Sequence, residues 1–266
     1  GNDNNLGGAA TIIEPGTGKI LAMAQSSDYT QTQVVWNADK EYGGGPYGWQ
    51  IGSTAKAYAL VNALERGMPL DSDIYAPQAS PTKPAIFTRD KVHDECGMDK
   101  PWEVENDYSV GGTMSLQKAT SQSINTAFAE LVLSLGGCSV RDTMTKLGLH
   151  SSDGQPVEGV ISAITGTATP MTMASSYATL AARGVYCEPY PIVSITTADQ
   201  QALQVPPSAC NQVVAPEVAD GVNRLLQGQT VGQAGLGVVQ GQVGDPPLAL
   251  ADLGGHLVEA LGQAAD

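Results

Sequence analysis

A serine and a lysine three residues apart, in Gly52-Ser53-Thr54-Ala55-Lys56, are the residues of this chain best placed to do chemistry. At positions i and i+3 of a helix the two share a face, so the Lys56 amine can reach the Ser53 hydroxyl. A serine hydroxyl is a weak nucleophile at neutral pH and needs an adjacent base; a lysine stripped of part of its water becomes such a base. The pair points to covalent acyl transfer. A Ser-x-x-Lys spacing arises by chance about once in a chain of this length, so the surroundings must carry the assignment. Further on, Ser123-Ile124-Asn125 adds a second hydroxyl and a carboxamide between two helical stretches. These groups could relay a proton and hold a peptide amide. Serine and asparagine also cap helices well, which is the structural alternative at that point.

The elements that must position these groups are read from periodicity and punctuation. Residues 9–24 predict a β-hairpin, two apolar runs joined by Glu14-Pro15-Gly16-Thr17-Gly18. The stretch 29–50 predicts a loop feeding a helix that begins at Ser53, carries Ala57, Leu60, Val61 and Leu64 on one stripe, and stops at Gly67. From 71 to 112, proline, charge and weak periodicity predict a long surface excursion. Helices are predicted around 115–119 and over 125–135, 140–147, 170–182 and 215–227, with a strand over 190–197. Beyond Gly228 the chain has nine glycines among residues 228–266, no lysine, no arginine and no aromatic ring. The domain reading is therefore a folded unit over 1–228 and a glycine-rich tail over 229–266 with no structure assigned.

With 266 residues and 42% hydrophobic content the chain can bury a sizeable core. Thirteen basic against 27 acidic residues give a formal net charge of -14, which argues against nucleic acid or an anionic membrane as partner. No apolar run approaches the roughly 20 residues needed to span a bilayer, and the polar start is no signal peptide. Gly43-Gly44-Gly45 lacks the lysine and the serine or threonine of a phosphate loop. His93-Asp94-Glu95-Cys96 offers adjacent ligands on a charged loop, which rarely converge on one ion, so no metal or other cofactor is assigned. His150 and His256 have no partner visible in the sequence. Cys96, Cys138, Cys187 and Cys210 contain no Cys-x-x-Cys pair. Their even number fits two extracytoplasmic disulfides, with Cys187 and Cys210 closing a usefully sized loop, or else inert buried thiols.

Four segments in order resemble the transpeptidase domain of penicillin-binding proteins. They are Ile13-Glu14-Pro15-Gly16-Thr17-Gly18-Lys19-Ile20-Leu21-Ala22-Met23, Ile51-Gly52-Ser53-Thr54-Ala55-Lys56, Ser121-Gln122-Ser123-Ile124-Asn125-Thr126-Ala127-Phe128 and the run from Thr169-Pro170-Met171 to Arg183-Gly184. The resemblance covers about residues 8–228, and the cysteines at 187 and 210 are similar to the actinobacterial class A type. It implies an α+β fold of the β-lactamase/transpeptidase kind, an antiparallel sheet flanked by helices, with an incomplete or divergent C-terminal end. It makes Ser53 the acyl-enzyme nucleophile and Lys56 its proton acceptor. Ser123 becomes a proton relay, and Asn125 holds both the substrate backbone and the lysine. The Ser53 backbone N–H becomes half of an oxyanion hole. Trp49, with Tyr42 and Tyr47, stands where a substrate groove would be. The implied partners are peptidoglycan stem peptides ending in D-alanyl-D-alanine, β-lactams as covalent inhibitors, and other cell-wall synthesis proteins. The implied place is outside the cytoplasm, with a membrane anchor in the full-length protein.

The chain departs from the family at one motif. A Lys-Thr-Gly strand should follow the 215–227 helix, but Lys146 is the last lysine in the sequence. Ile164-Thr165-Gly166-Thr167 precedes the Thr169 helix and so stands on the wrong side to replace it. The leading expectation is a serine-type peptidoglycan D,D-transpeptidase. The alternatives are an impaired member that binds cell-wall peptide or a partner protein, and a β-lactamase or β-lactam sensor.

Overall fold

The computed structural model describes residues 7–88, 90, 96, 100–158, 166–205 and 208–227, together with the backbone of 249–250. Its first element is the expected hairpin, β1 (Ala9–Ile13) and β2 (Ile20–Gln25), paired antiparallel. Gly18 permits the turn: its φ is +77°, and a Cβ there would collide with the Glu188 carbonyl oxygen. Thr17 closes the same turn by donating its hydroxyl to Glu14 Oε2 at 2.7 Å. Along β1 the pleat alternates, with Ala9, Thr11 and Ile13 buried.

Trp49–Gln50 forms the short β3, and Gly52–Ala55 is a 3₁₀ turn that runs straight into α1 (Lys56–Glu65). Residues 56–63 are all buried, so α1 is a central helix rather than an amphipathic surface one. Four strands follow: β4 (Asp73–Ala79), β5 (Ala85–Phe87), β6 (Trp102–Val104) and β7 (Val110–Ser115). Next come α2 (Leu116–Ser121), α3 (Asn125–Leu135) and α4 (Gly137–Lys146). The short β8 (Thr167–Ala168) precedes α5 (Pro170–Ala181), whose Thr169 cap accepts from the Thr172 N–H while Pro170 occupies the first turn. After β9 (Val185–Cys187), β10 (Ile195–Thr196), β11 (Ala202–Leu203) and β12 (Cys210–Gln212) comes α6 (Pro216–Gln227). The core gathers around α1: Tyr58, Leu60 and Val61 pack with Phe128 and Val132 of α3, Leu180 of α5, and Val222 and Leu225 of α6. This is the α+β architecture implied by the sequence.

The stretch 71–112 is not the surface excursion expected. β4 pairs with β7 and β5 with β6, burying Ala76, Ala79, Phe87, Trp102 and Val104. The expected strand over 190–197 shrinks to Ile195–Thr196, and Tyr190 makes only an isolated bridge to Lys19. Pro191 has no N–H to continue the ladder. Both cysteine pairs are disulfides, Cys96 with Cys138 and Cys187 with Cys210, the latter joining residues directly opposite one another on β9 and β12. In the stretch where no strand was expected, β13 (Ala249–Leu250) pairs with Ile12 and Ile13 on the free side of β1, so the sheet order is β13-β1-β2. The rest of the 229–266 segment, His93 to Glu95 and His256 lie outside the described residues.

Candidate active site

Ser53 lies in the 3₁₀ turn before α1, not in the first turn of the α-helix itself. The difference matters, because in a 3₁₀ turn residues i and i+3 eclipse, which brings Ser53 directly over Lys56. Two features make the turn. Gly52 takes φ +52°, a left-handed conformation that lets the chain swing from β3 into the helix. Ile51, buried beneath it, donates its N–H to the Gly166 carbonyl at 2.8 Å, next to the β3–β8 pairing. From α5 the Tyr177 hydroxyl donates to the Thr54 carbonyl at 2.9 Å, and the Tyr58 and Ser176 hydroxyls share a hydrogen bond of 2.5 Å. Ser53 is thus exposed at the end of a pinned turn, while Lys56 is only 3% exposed behind it.

Ser123 arrives from the opposite wall in a strained state. It follows the last turn of α2, where its N–H reaches the Thr120 carbonyl at 3.0 Å and the Ile124 N–H reaches the Ala119 carbonyl at 2.9 Å. That bonding pattern ends a helix on a left-handed residue, a place glycine usually takes. Here a serine holds φ +51°. A left-handed L-residue costs on the order of 1 kcal/mol, and such strain collects at functional sites. The conformation aims both oxygens of Ser123 at one target, since Lys56 Nζ donates to its Oγ and to its carbonyl oxygen, each at 2.8 Å.

Lys56 Nζ therefore has four acceptors: Ser53 Oγ at 3.0 Å, the two Ser123 oxygens, and Asn125 Oδ1 at 2.5 Å. None is a carboxylate. An ammonium has three protons for these four sites, whereas a neutral amine can donate to two and accept from a serine hydroxyl. Burial without a paired anion pushes the Lys56 amine down to about 7, against a smaller opposing pull from the Asp107 carboxylate. The Phe128 ring, 5.5 Å from the nitrogen, adds a weak cation–π contact to the charged form. At neutral pH an appreciable share of Lys56 is free base, hydrogen-bonded to two hydroxyls.

The four residues singled out by spacing thus converge on one nitrogen. Trp49 does not join them. It sits in β3, its indole N–H donates to the Trp36 carbonyl at 3.1 Å, and its ring meets Trp36 edge-on at 5.8 Å. Sequence reasoning missed the second layer: Asn125 Nδ2 donates to the Glu105 carbonyl at 2.8 Å, and Asn106 and Asp107 follow in the same loop. No spacing rule links that loop to Asn125. It also missed the partner of His150, which is Asp39 at 2.8 Å, 111 residues earlier in the chain. The segment 228–248, where the resemblance places the Lys-Thr-Gly strand, lies outside the described residues. A cavity of about 590 Å³ is lined by His150 and Tyr186 among others, but by none of the four converging residues.

Comparison with known proteins identifies the family. The family described as penicillin binding protein transpeptidase domain matches residues 8–244. Penicillin-binding protein 1A of Mycobacterium tuberculosis is 29% identical over 250 residues, covering 85% of this chain and 26% of that protein. Peptidoglycan D,D-transpeptidase PbpA of Mycolicibacterium smegmatis is 24% identical over 263 residues, covering 85% of this chain and 51% of its own length. The chain thus spans between a quarter and about half of these curated relatives. Among solved structures, the Mycobacterium tuberculosis PonA1 protein in complex with penicillin V superposes with a TM-score of 0.67 at 22% identity, covering 92% of this chain and 68% of that one. This chain belongs to the penicillin-binding protein transpeptidase domain family.

Proposed function

We propose that this chain is a serine D,D-transpeptidase domain of peptidoglycan cross-linking, and that β-lactams acylate it at Ser53. The observation that carries the reading is the Lys56 amine, buried without a carboxylate and hydrogen-bonded to two serine hydroxyls at 3.0 and 2.8 Å. In the reaction, Ser53 Oγ attacks the carbonyl of the penultimate D-alanine of a stem peptide while its proton passes to Lys56 Nζ. The Ser53 backbone N–H receives the developing oxyanion. When the peptide C–N bond breaks, the leaving D-alanine nitrogen takes the proton from Lys56 by way of Ser123 Oγ. An acceptor amine then attacks the acyl-enzyme, gives a proton back along the same path, and Ser53 is regenerated. Asn125 holds the substrate backbone as well as the lysine, and Trp49 forms a wall of the groove. β-Lactams enter the first half of this sequence and stay at the acyl-enzyme.

The catalytic unit in this reading is 1–228. Two disulfides support a location outside the cytoplasm. No lysine follows Lys146, so residues 147–266 contain no Lys-Thr-Gly, the motif whose threonine grips the substrate carboxylate and whose strand gives the second oxyanion donor in the family this chain resembles. Acylation by residues 1–266 on their own, with that second oxyanion donor lacking, should be slower by about 100-fold or more. The test is incubation with a labelled penicillin followed by intact mass measurement. A covalent adduct that Ser53→Ala abolishes supports the reading; no adduct at millimolar drug after hours contradicts it.

A further inference from the structure

Ser123 is a serine in a backbone conformation that favours glycine, and a strained residue persists only where its surroundings over-determine it. The chain beyond it supplies little help. α3 begins at Asn125 on an apolar cap, Ile124, whose side chain caps nothing. A helix start normally leaves its first N–H groups in need of partners. Here the partner comes from the loop between β6 and β7. Asn106, 2% exposed, accepts from the Thr126 N–H with its Oδ1 at 3.1 Å. Its Nδ2 donates to Thr126 Oγ1 at 3.0 Å and to the Val110 carbonyl at 3.3 Å, so one side chain ties the start of α3 to the start of β7. Its neighbours in the loop hold the residues on either side. The Glu105 carbonyl accepts from Asn125 Nδ2 at 2.8 Å, and the Tyr108 hydroxyl donates to Gln122 Oε1 at 2.7 Å. Residues 122, 125 and 126 are thus each gripped from the 105–108 loop, and Ser123 lies between the grips.

We infer that Asn106 is a positioning residue for acylation: it caps α3 from outside and, with the 105–108 loop, holds Ser123 in the left-handed conformation that points both its oxygens at Lys56. Asn106 touches none of the reacting atoms. The catalytic half of this inference rests on the transpeptidase reading; the structural half does not.

Both halves are tested on the whole chain with Asn106→Ala and Asn106→Asp, the second keeping the acceptor for the Thr126 N–H. Hydrogen exchange followed by mass spectrometry reads the structural half. Asn106→Ala should speed exchange in peptides covering 122–126 at least tenfold while leaving α1 unchanged, and Asn106→Asp should recover most of the protection. The rate of penicillin acylation reads the catalytic half. Asn106→Ala should slow it about 10- to 100-fold, the loss that removing a hydrogen-bond partner behind a metal ligand causes, taken over to the hydroxyl of Ser123. In a Ser123→Ala background the same substitution should slow it hardly at all, because its target is gone. Unchanged exchange at 122–126 overturns the brace. An equal slowing in both backgrounds overturns its action through Ser123. A wild-type chain that is never acylated defeats the transpeptidase reading, while the exchange measurement still decides whether Asn106 is the brace.

Discussion

Lys56 and Asp39 are both buried charged side chains, 3% and 7% exposed, and their surroundings treat them in opposite ways. Lys56 is ringed by neutral oxygens: two serine hydroxyls, a backbone carbonyl and a carboxamide. Asp39 has an ionic partner, His150 Nε2 at 2.8 Å from its Oδ2, and a hydroxyl donor, Thr169 Oγ1 at 2.9 Å from its Oδ1. Burial pushes the amine of Lys56 down to about 7 because nothing close by repays its lost hydration. The Asp39 hydrogen bond instead raises His150, favouring the charged form of the pair. A buried charge left unpaired becomes a reagent, and one that is paired becomes a strut. Asp39 and Thr169 tie the loop before β3 to the cap of α5, so the strut supports the wall on which Ser53 stands without touching it.

The largest effect expected from breaking this contrast is on rate. Lys56→Ala should slow penicillin acylation of Ser53 by about 10²- to 10⁴-fold, the usual worth of a positioned general base, in a stopped-flow or mass time course. Acylation at the wild-type rate would show that another group takes the Ser53 proton. Asp39→Ala should do the reverse. It strands His150 and the Thr169 hydroxyl, so unfolding by urea should show a loss of about 1–3 kcal/mol while the folded protein still acylates at an undiminished rate. A rate loss without a stability loss would make Asp39 part of the reactive site.

A smaller effect separates the two clusters by pH. His150 is raised above its ordinary value of 6.5 by its bond to Asp39, so its contribution to stability is complete below about 6.5 and fades as pH rises through the folded value. The melting temperature of the wild type relative to His150→Gln should therefore be most favourable at about pH 6 and below, and the advantage should shrink steadily as the pH is raised above that. A difference that grows with pH would mean His150 is held neutral. Acylation should move the opposite way over the same range, since Lys56 must lose its proton to act.

How much of this was legible from residue order differs between the two clusters for a physical reason. Ser53, Lys56, Ser123 and Asn125 could be singled out because their spacings are short and local, three residues and two, and given roles because the segments around them resemble one family. The i to i+3 geometry then did the rest once a turn formed. The strut could not be read, since its two partners lie 111 residues apart and neither belongs to a periodic pattern. The four strands between 73 and 115 were missed for a related reason. β5 and β6 are three residues each, β4 contains Pro77, and β4 and β7 pair with a register shift between Ala76 and Ala79. Such strands gain their stability from partners distant in sequence, and local propensity says little about them. The helix over 170–181 was legible to within a residue because cap, proline and stripe agree, and the helix over 125–135 was legible from the stripe of Ala127, Phe128, Leu131 and Leu135.

In the proposed function, uncompensated burial makes Lys56 the base that activates Ser53. The most direct test of this role is the pH dependence of the acylation rate under saturating labelled penicillin, between pH 5 and 9. The rate should climb with a single acid limb near 7 and then level, and the limb should move to lower pH in Asp107→Asn, where the opposing carboxylate is gone. A rate that is flat across this range, or one that is still climbing steeply at pH 9, would contradict that role for Lys56.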